Sequence, residues 1–393
     1  MRQFRIGSVF GIPLKLDLTF LLVLPLFAWI IGSQVELWAG QLGELGPAPL
    51  ETAALTAGSM PWVLGVAAAI GLFAGVVLHE LGHSLVAMRF GYPIDSITLW
   101  IFGGIAQLRE MPEAWRQELA IAIAGPVVSV ALGAACWVGF LTLPTGLTAL
   151  RFVVGYLALM NVALAGFNLL PAFPMDGGRV LRALLARNRP YARATKIAAE
   201  VGKGFALLLG LFGLLQVNIV LIGIAFFIYI GASGEAQQTV MKAAFEGVAV
   251  RDVMTPVAEV DTVGPEMSVA ELVETMFRQR HTGYPVVERE SLVGLVTLED
   301  AKGVKPVERD AFLVEEIMSR DLETIDVEAE AIDAVTAMQS AGVGRLIVEE
   351  AGEFVGLVTR SDLVTALDII QSGGTLEPGR AGAGGEPAGR GVL

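Results

Sequence analysis

One cysteine in 393 residues, three histidines and a charged fraction of only 17% are the scarcities that bound this chain. The lone Cys136 can form no intrachain disulfide, and in its apolar run it reads as a small core residue. With 54% hydrophobic residues and a mean hydropathy of +0.63, the chain is too apolar for an ordinary soluble protein. A basic surplus is missing as well. Residues 247–372 hold 25 Asp+Glu against 10 Lys+Arg, a local net of −15 in a chain of net −13, so the remainder sums to +2. Such an acidic region argues against non-specific nucleic-acid binding. The apolar and acidic parts read as separate domains in different solvents.

Apolar runs near membrane-span length occur at about 16–32, 61–88, 119–143 and 149–170. The stretch 195–233 exceeds one span, and Gln216 and Asn218 divide it into about 195–215 and 217–233. Six spans are therefore expected. The basic N-terminus and first run have no small-residue cleavage site, so the run reads as a retained helix rather than a signal peptide. Loop charge orients the bundle. Arg2, Arg5 and Lys15 precede the first run and Glu36, Glu44 and Glu51 follow it, while Arg179, Arg182, Arg187, Arg189, Arg193 and Lys196 follow the fourth. This places both ends in the cytoplasm of a multi-pass protein of the cell membrane. Arg151 dissents, on the expected outer side.

Between the second and third runs, Tyr92–Gln107 is apolar but too short to cross. Its alternation and β-branched residues predict a strand pair around Gly103-Gly104. Such a segment must be buried in protein or line a cavity. An unpaired edge there can take a substrate as an added strand; a half-buried surface loop is the plainer alternative.

Past residue 245 the pattern turns to soluble α/β, and a repeat is visible. Leu292–Asp300 (LVGLVTLED) matches Phe354–Asp362 (FVGLVTRSD), with Thr297/Thr359 and Asp300/Asp362 each 62 residues apart. The expected organisation is a helical membrane domain (1–235), a linker (236–249), two repeats (about 250–305 and 314–371) and a tail (372–393). The tail, rich in Gly, Ala, Pro and Arg, reads as disordered.

Two of the three histidines stand in His79-Glu80-Leu81-Gly82-His83, inside the second apolar run. On a helix this spacing puts both imidazoles on one face. Ionisable groups in a span are costly, which makes them functional candidates. The pattern has a mechanical reading: two imidazole zinc ligands, and a carboxylate able to take a proton from an attacking water and pass it to a leaving amine. A third ligand is needed, and His281 lies in the repeat region. Asp176 is the best candidate, as the one carboxylate between Glu118 and Glu200. It follows the helix breakers Pro171 and Pro174, and Gly177-Gly178 allow close backbone approach. Depth agrees. His83 and His79 are five and nine residues from Met88, so they lie roughly 8–14 Å inside the cytoplasmic face, the side where Asp176 falls.

Together these residues resemble the site-2 proteases, intramembrane zinc metalloproteases, over residues 1–235. The resemblance rests on His79-Glu80-Leu-Gly-His83, Phe102-Gly103-Gly104, Gly125-Pro126, and Asn168-x-x-Pro171 with Pro174-Met-Asp176-Gly177. It implies one zinc on His79, His83 and Asp176, with Glu80 as catalytic base. It also implies that Asn168 positions the substrate backbone or the oxyanion, and that Phe102, Gly103 and Gly104 meet the substrate. The repeats resemble tandem cystathionine-β-synthase (CBS) modules. That implies an adenine nucleotide contacted by Thr297, Asp300, Thr359 and Asp362, with Tyr284-Pro285 on the adenine side. The second repeat has Gly344-Arg345-Leu346 where the first has Gly283-Tyr284-Pro285, so at most one of two sites is expected to be competent. A homodimerisation module is the equal alternative. The activity so implied is cleavage of a transmembrane segment of a membrane-anchored protein in regulated intramembrane proteolysis, in a prokaryote. A transporter or channel gated by the CBS pair, or a silent family scaffold, are the competing readings.

Overall fold

The computed structural model describes residues 3–100, 103–108, 112, 114–289 and 291–372. Phe102 and the tail from 373 onward lie outside them. The chain divides into two units, one over Met1–Thr239 and one from Val240 on.

The first unit opens with strands where the sequence reads as the approach to a membrane helix. β1 (Gln3–Val9) and β2 (Ile12–Asp17) form a hairpin through Phe10 and Gly11, both at positive φ. The expected first span at 16–32 is accordingly corrected. Asp17 ends β2 by accepting from the Thr19 amide at 3.0 Å and hydroxyl at 2.7 Å, and helix α1 runs only over Phe20–Ser33. At about 1.5 Å per residue, its 14 residues fall short of the roughly 30 Å hydrocarbon core. It meets α2 (Val35–Leu45) at a bend of 63°.

After the short α3 (Thr52–Thr56) come helices whose ends lie within a few residues of the expected spans: α4 (Met60–Arg89), α5 (Trp115–Thr142) and α6 (Thr148–Asn168). An amphipathic α7 (Asp176–Ala186) intervenes before α8 (Tyr191–Leu215) and α9 (Ile219–Phe245). The break at residues 216–218 falls where Gln216 and Asn218 predict it. Asn218 starts α9 by accepting from the amides of Val220 and Leu221. Among the described residues five helices are long and apolar enough to cross a membrane, or six if α1 and α2 count as one bent span. Their outer faces carry apolar side chains that water would not tolerate as a patch: Leu208 is 69% exposed and Val220 65%.

Between α4 and α5 lie β3 (Ile94–Trp100) and β4 (Gly103–Leu108), the antiparallel pair expected there, with Leu99 opposite Gly104. β3 also pairs in parallel with β2, giving the order β1-β2-β3-β4, in which β4 is an edge packed along α4.

The second unit contains the repeat. The stretch expected as a linker is largely helical: α9 continues to Phe245, which joins the unit's core. Short α10 (Val250–Val253) and β5 (Thr255–Pro256) lead into α11 (Val269–Gln279), the hairpin β6 (Gly283–Glu288) and β7 (Ser291–Thr297), and α12 (Leu298–Lys302). The pattern returns as α13 (Val314–Ile317), β8 (Thr324–Asp326), α14 (Ala331–Ala341), β9 (Arg345–Glu350), β10 (Glu353–Thr359) and α15 (Arg360–Gln371). One sheet has the order β5-β10-β9-β8 and the other is β6-β7. Each repeat has its own apolar core, around Leu272, Val286 and Val296 in the first and Ala334, Val348 and Val358 in the second.

Candidate metal centre

α4 is the middle of the first unit, and its buried face includes His79 and His83. The residues just before α7 turn sharply. A side chain on Gly177 would place its first carbon 2.2 Å from the Leu170 carbonyl oxygen, so only glycine lets the backbone fold back there. This turn puts Asp176, 8% exposed, at the first position of α7. The three expected ligand atoms meet. Asp176 Oδ2 is 3.1 Å from both His79 Nε2 and His83 Nε2, and the two nitrogens are 3.2 Å apart.

That spacing suits a metal. Ligand atoms about 2.0–2.2 Å from a tetrahedral centre lie roughly 3.3 Å or slightly more from one another. Protonation points the same way. His83 Nδ1 is 2.6 Å from the Ile121 carbonyl oxygen, an acceptor that requires Nδ1 to carry the proton. His79 Nδ1 lies 2.9 Å from the Ser129 hydroxyl. A neutral imidazole whose Nδ1 carries the proton turns its Nε2 lone pair inward. Such a lone pair and a carboxylate oxygen at this spacing repel one another unless a cation sits between them. Space for one is kept by α5, because a side chain on Gly125 would place its first carbon 2.2 Å from His83 Nε2 and 2.7 Å from His79 Nε2. Among the described residues this is the one group of three His, Cys, Asp or Glu side chains placed to hold a metal.

The Ser129 contact invites a test. Ser129→Ala leaves the His79 ring without its Nδ1 partner and, if the three side chains hold a metal, is expected to weaken its binding about 10- to 100-fold. Chelator competition on the purified protein measures it.

Glu80, half-buried, projects from α4 toward β4: a side chain on Gly104 would come within 2.6 Å of Glu80 Cγ. The edge strand thus passes directly over the carboxylate. Asn168, at the end of α6, is turned back on its own helix and donates to the Leu164 carbonyl at 3.0 Å.

A different asparagine is buried against α4. Asn161 is 1% exposed, its Nδ2 donates to the Leu157 carbonyl, and among the described residues its Oδ1 has no partner. It fits against Gly75, one turn before His79, where a side chain would come within 2.8 Å of that oxygen. In an apolar stretch nothing but its polarity singles it out. The roles of Ser129 and Ile121 are equally silent in sequence, since any hydroxyl or backbone carbonyl can orient an imidazole.

In the second unit, Thr297/Asp300 and Thr359/Asp362 form equivalent capping boxes. Each threonine side chain accepts from the aspartate amide, and each aspartate accepts from the threonine amide and hydroxyl. The repeated motif therefore marks a strand end passing into a helix start. Burial raises the Asp362 carboxyl pKa even against the hydrogen bonds from Thr359. Tyr284 is 1% exposed, and its hydroxyl donates to Gln279. Arg345 reaches from the second repeat to the first, donating to the Thr282 hydroxyl and lying where a side chain on Gly283 would otherwise be.

A His-Glu-x-x-His helix whose imidazoles meet a buried carboxylate inside an apolar bundle fits the class of membrane metallopeptidases. Comparison with known proteins narrows the class. The model of peptidase family M50 matches residues 67–152 and 145–209, and the CBS-domain model matches 250–304 and 314–369. The zinc metalloprotease MJ0392 of Methanocaldococcus jannaschii is 34% identical over 367 residues, covering 93% of this chain and 96% of that protein. Rip3 of Mycobacterium tuberculosis is 32% identical over 384 residues, covering 93% of each. A solved site-2 protease from M. jannaschii is 37% identical, covering 60% of this chain and 95% of that one, with a TM-score of 0.41. The chain belongs to peptidase family M50, the site-2 proteases, and carries a tandem pair of CBS domains. It is a membrane metalloendopeptidase.

Proposed function

We propose that the protein is a zinc-dependent intramembrane endopeptidase that cuts a transmembrane segment of a membrane-anchored protein. The observation that carries this reading is the meeting of His79 Nε2, His83 Nε2 and Asp176 Oδ2 at 3.1–3.2 Å, with both Nδ1 atoms already engaged. One zinc per chain is assigned to these three atoms; when bound, it supplies a Lewis acid that activates water and polarises the scissile carbonyl. Glu80 takes the proton of the attacking water and hands it to the leaving amine nitrogen. Asn168, once its side chain leaves Leu164, offers an amide donor to the substrate backbone or oxyanion.

Substrate presentation falls to the edge strand β4. An extended segment paired along Gly103-Gly104 presents its carbonyls beside Glu80, because no side chain at 104 separates them. Phe102, adjoining this edge in sequence, belongs to the same proposed surface. A transmembrane helix must first unwind to pair in this way, as its carbonyls are otherwise spent on its own hydrogen bonds. Both termini are assigned to the cytoplasm from loop charge. The CBS pair is assigned to control, through an adenine nucleotide between the repeats or through dimerisation.

Metal analysis separates this reading from a CBS-gated transporter or channel. The purified protein is expected to hold one zinc per chain, and His79→Ala to lose it. A protein without stoichiometric zinc, or one whose zinc survives His79→Ala, overturns the assignment.

A further inference from the structure

Two carboxylates that proteolysis leaves unused, Glu118 and Glu235, converge on one guanidinium. Arg182, on α7, is 1% exposed. Its Nε donates to Glu118 Oε1 on α5 at 2.6 Å, its Nη2 lies 2.6 Å from the same oxygen, and its Nη1 donates to Glu235 on α9. The guanidinium sits over the rings of Phe173 and Tyr191, 5.0 and 4.9 Å from their centroids. One side chain thus joins α5, α9, the start of α8 and the turn that leads into Asp176. A buried ion cluster is generally no more stabilising than apolar packing of the same shape. What this one contributes is geometry, since a planar fork fixes direction as well as distance.

The buried face of α5 shows what is being placed. It runs through Glu118, Ile121, Gly125 and Ser129, at the three- and four-residue steps of one helix face. Glu118 receives Arg182, the Ile121 carbonyl receives His83, Gly125 leaves the space between the Nε2 atoms, and Ser129 holds His79. α5 therefore acts as a template on which both the histidine pair and α7 are docked. Asp176 begins α7 and Arg182 lies six residues further on, about 9 Å along the axis. Where Arg182 is gripped sets where Asp176 arrives.

We propose that Arg182 is a positioning residue for the metal: held by Glu118 and Glu235, it locks α7 in register with α5 so that Asp176 delivers its oxygen to His79 and His83. This rests on the reading of those three residues as ligands. Lysine is no substitute, because a point charge on a flexible stem can neither bridge both carboxylates with fixed geometry nor stack between two rings.

The test is a double-mutant cycle on zinc affinity, read by chelator competition with the full chain in lipid nanodiscs. Arg182→Lys is expected to weaken zinc binding on the order of tenfold. Combined with Asp176→Ala it is expected to bind no more weakly than Asp176→Ala alone, because both changes remove the same contact. An unchanged affinity in Arg182→Lys overturns the inference. So does a loss that adds to that of Asp176→Ala, which is what a general structural role would give. If Arg182→Lys does not fold, Glu235→Gln, at the half-buried arm of the clamp, enters the same cycle under the same criteria. Wild-type protein lacking stoichiometric zinc overturns the ligand reading itself, an outcome distinct from the others.

Discussion

Glu80→Gln is expected to stop proteolysis while the protein stays folded and keeps its zinc. The substitution preserves size and most hydrogen-bonding geometry, so the tight approach of Gly104 to the side chain is undisturbed. It removes the capacity to take a proton. General-base catalysis by a positioned side chain is worth about 10²–10⁴-fold, and the amide forfeits that factor. Since Glu80 is outside the three converging ligand atoms, metal content should not change. Cleavage of a membrane-anchored reporter in proteoliposomes, alongside metal analysis of the same preparation, gives both readings. Turnover near wild type would show that the base is elsewhere. Loss of zinc together with activity would instead make Glu80 part of metal retention. The inactive variant should also hold uncut partners, so comparing what co-purifies with it and with the native chain is a route to the substrate.

An equally large effect is expected from one added methyl group. Gly125→Ala puts a carbon 2.2 Å from His83 Nε2 and 2.7 Å from His79 Nε2, distances no unstrained contact allows. Neither ring can retreat easily. His83 is tied through Nδ1 to a backbone carbonyl, and His79 to Ser129. α5 cannot shift outward without disturbing the Glu118 contact to Arg182. The methyl therefore takes the space in which the two Nε2 atoms converge. Gly125→Ala is expected to lose stoichiometric zinc and with it activity, with helical content by circular dichroism unchanged. Retention of one zinc per chain would mean that the metal lies elsewhere.

Much of this centre was legible in sequence because its residues are out of place there. Two histidines in a span announce themselves by their cost, and Asp176 stands out as a lone carboxylate beside helix breakers. The strand pair at Ile94–Leu108 shows as alternation too short to cross a bilayer. The N-terminal hairpin was not legible: its alternation runs directly into an apolar run, and the turn at Asp17 depends on a hydrogen bond to Thr19 that composition does not reveal. The overrun of α9 to Phe245 escaped for the opposite reason, since that residue's place in the second unit's core is a tertiary fact. Arg182, Glu118 and Glu235 look like ordinary charges at the ends of apolar runs until three helices bring them together. The Thr-x-x-Asp repeats also have a local role that the spacing alone does not announce, a helix cap at each strand end.

The face of α5 has a consequence for descent. Its one share in the motifs that carry the family resemblance is Gly125-Pro126, and it offers no metal ligand, yet it holds both imidazoles and keeps the space between them. A lineage could retain all four signature residues, His79, Glu80, His83 and Asp176, and still fall silent through a single codon change at position 125. Inactive relatives of such a protease are thus to be sought on the helix that bears no ligand, and an intact signature is a record of ancestry before it is a warrant of activity.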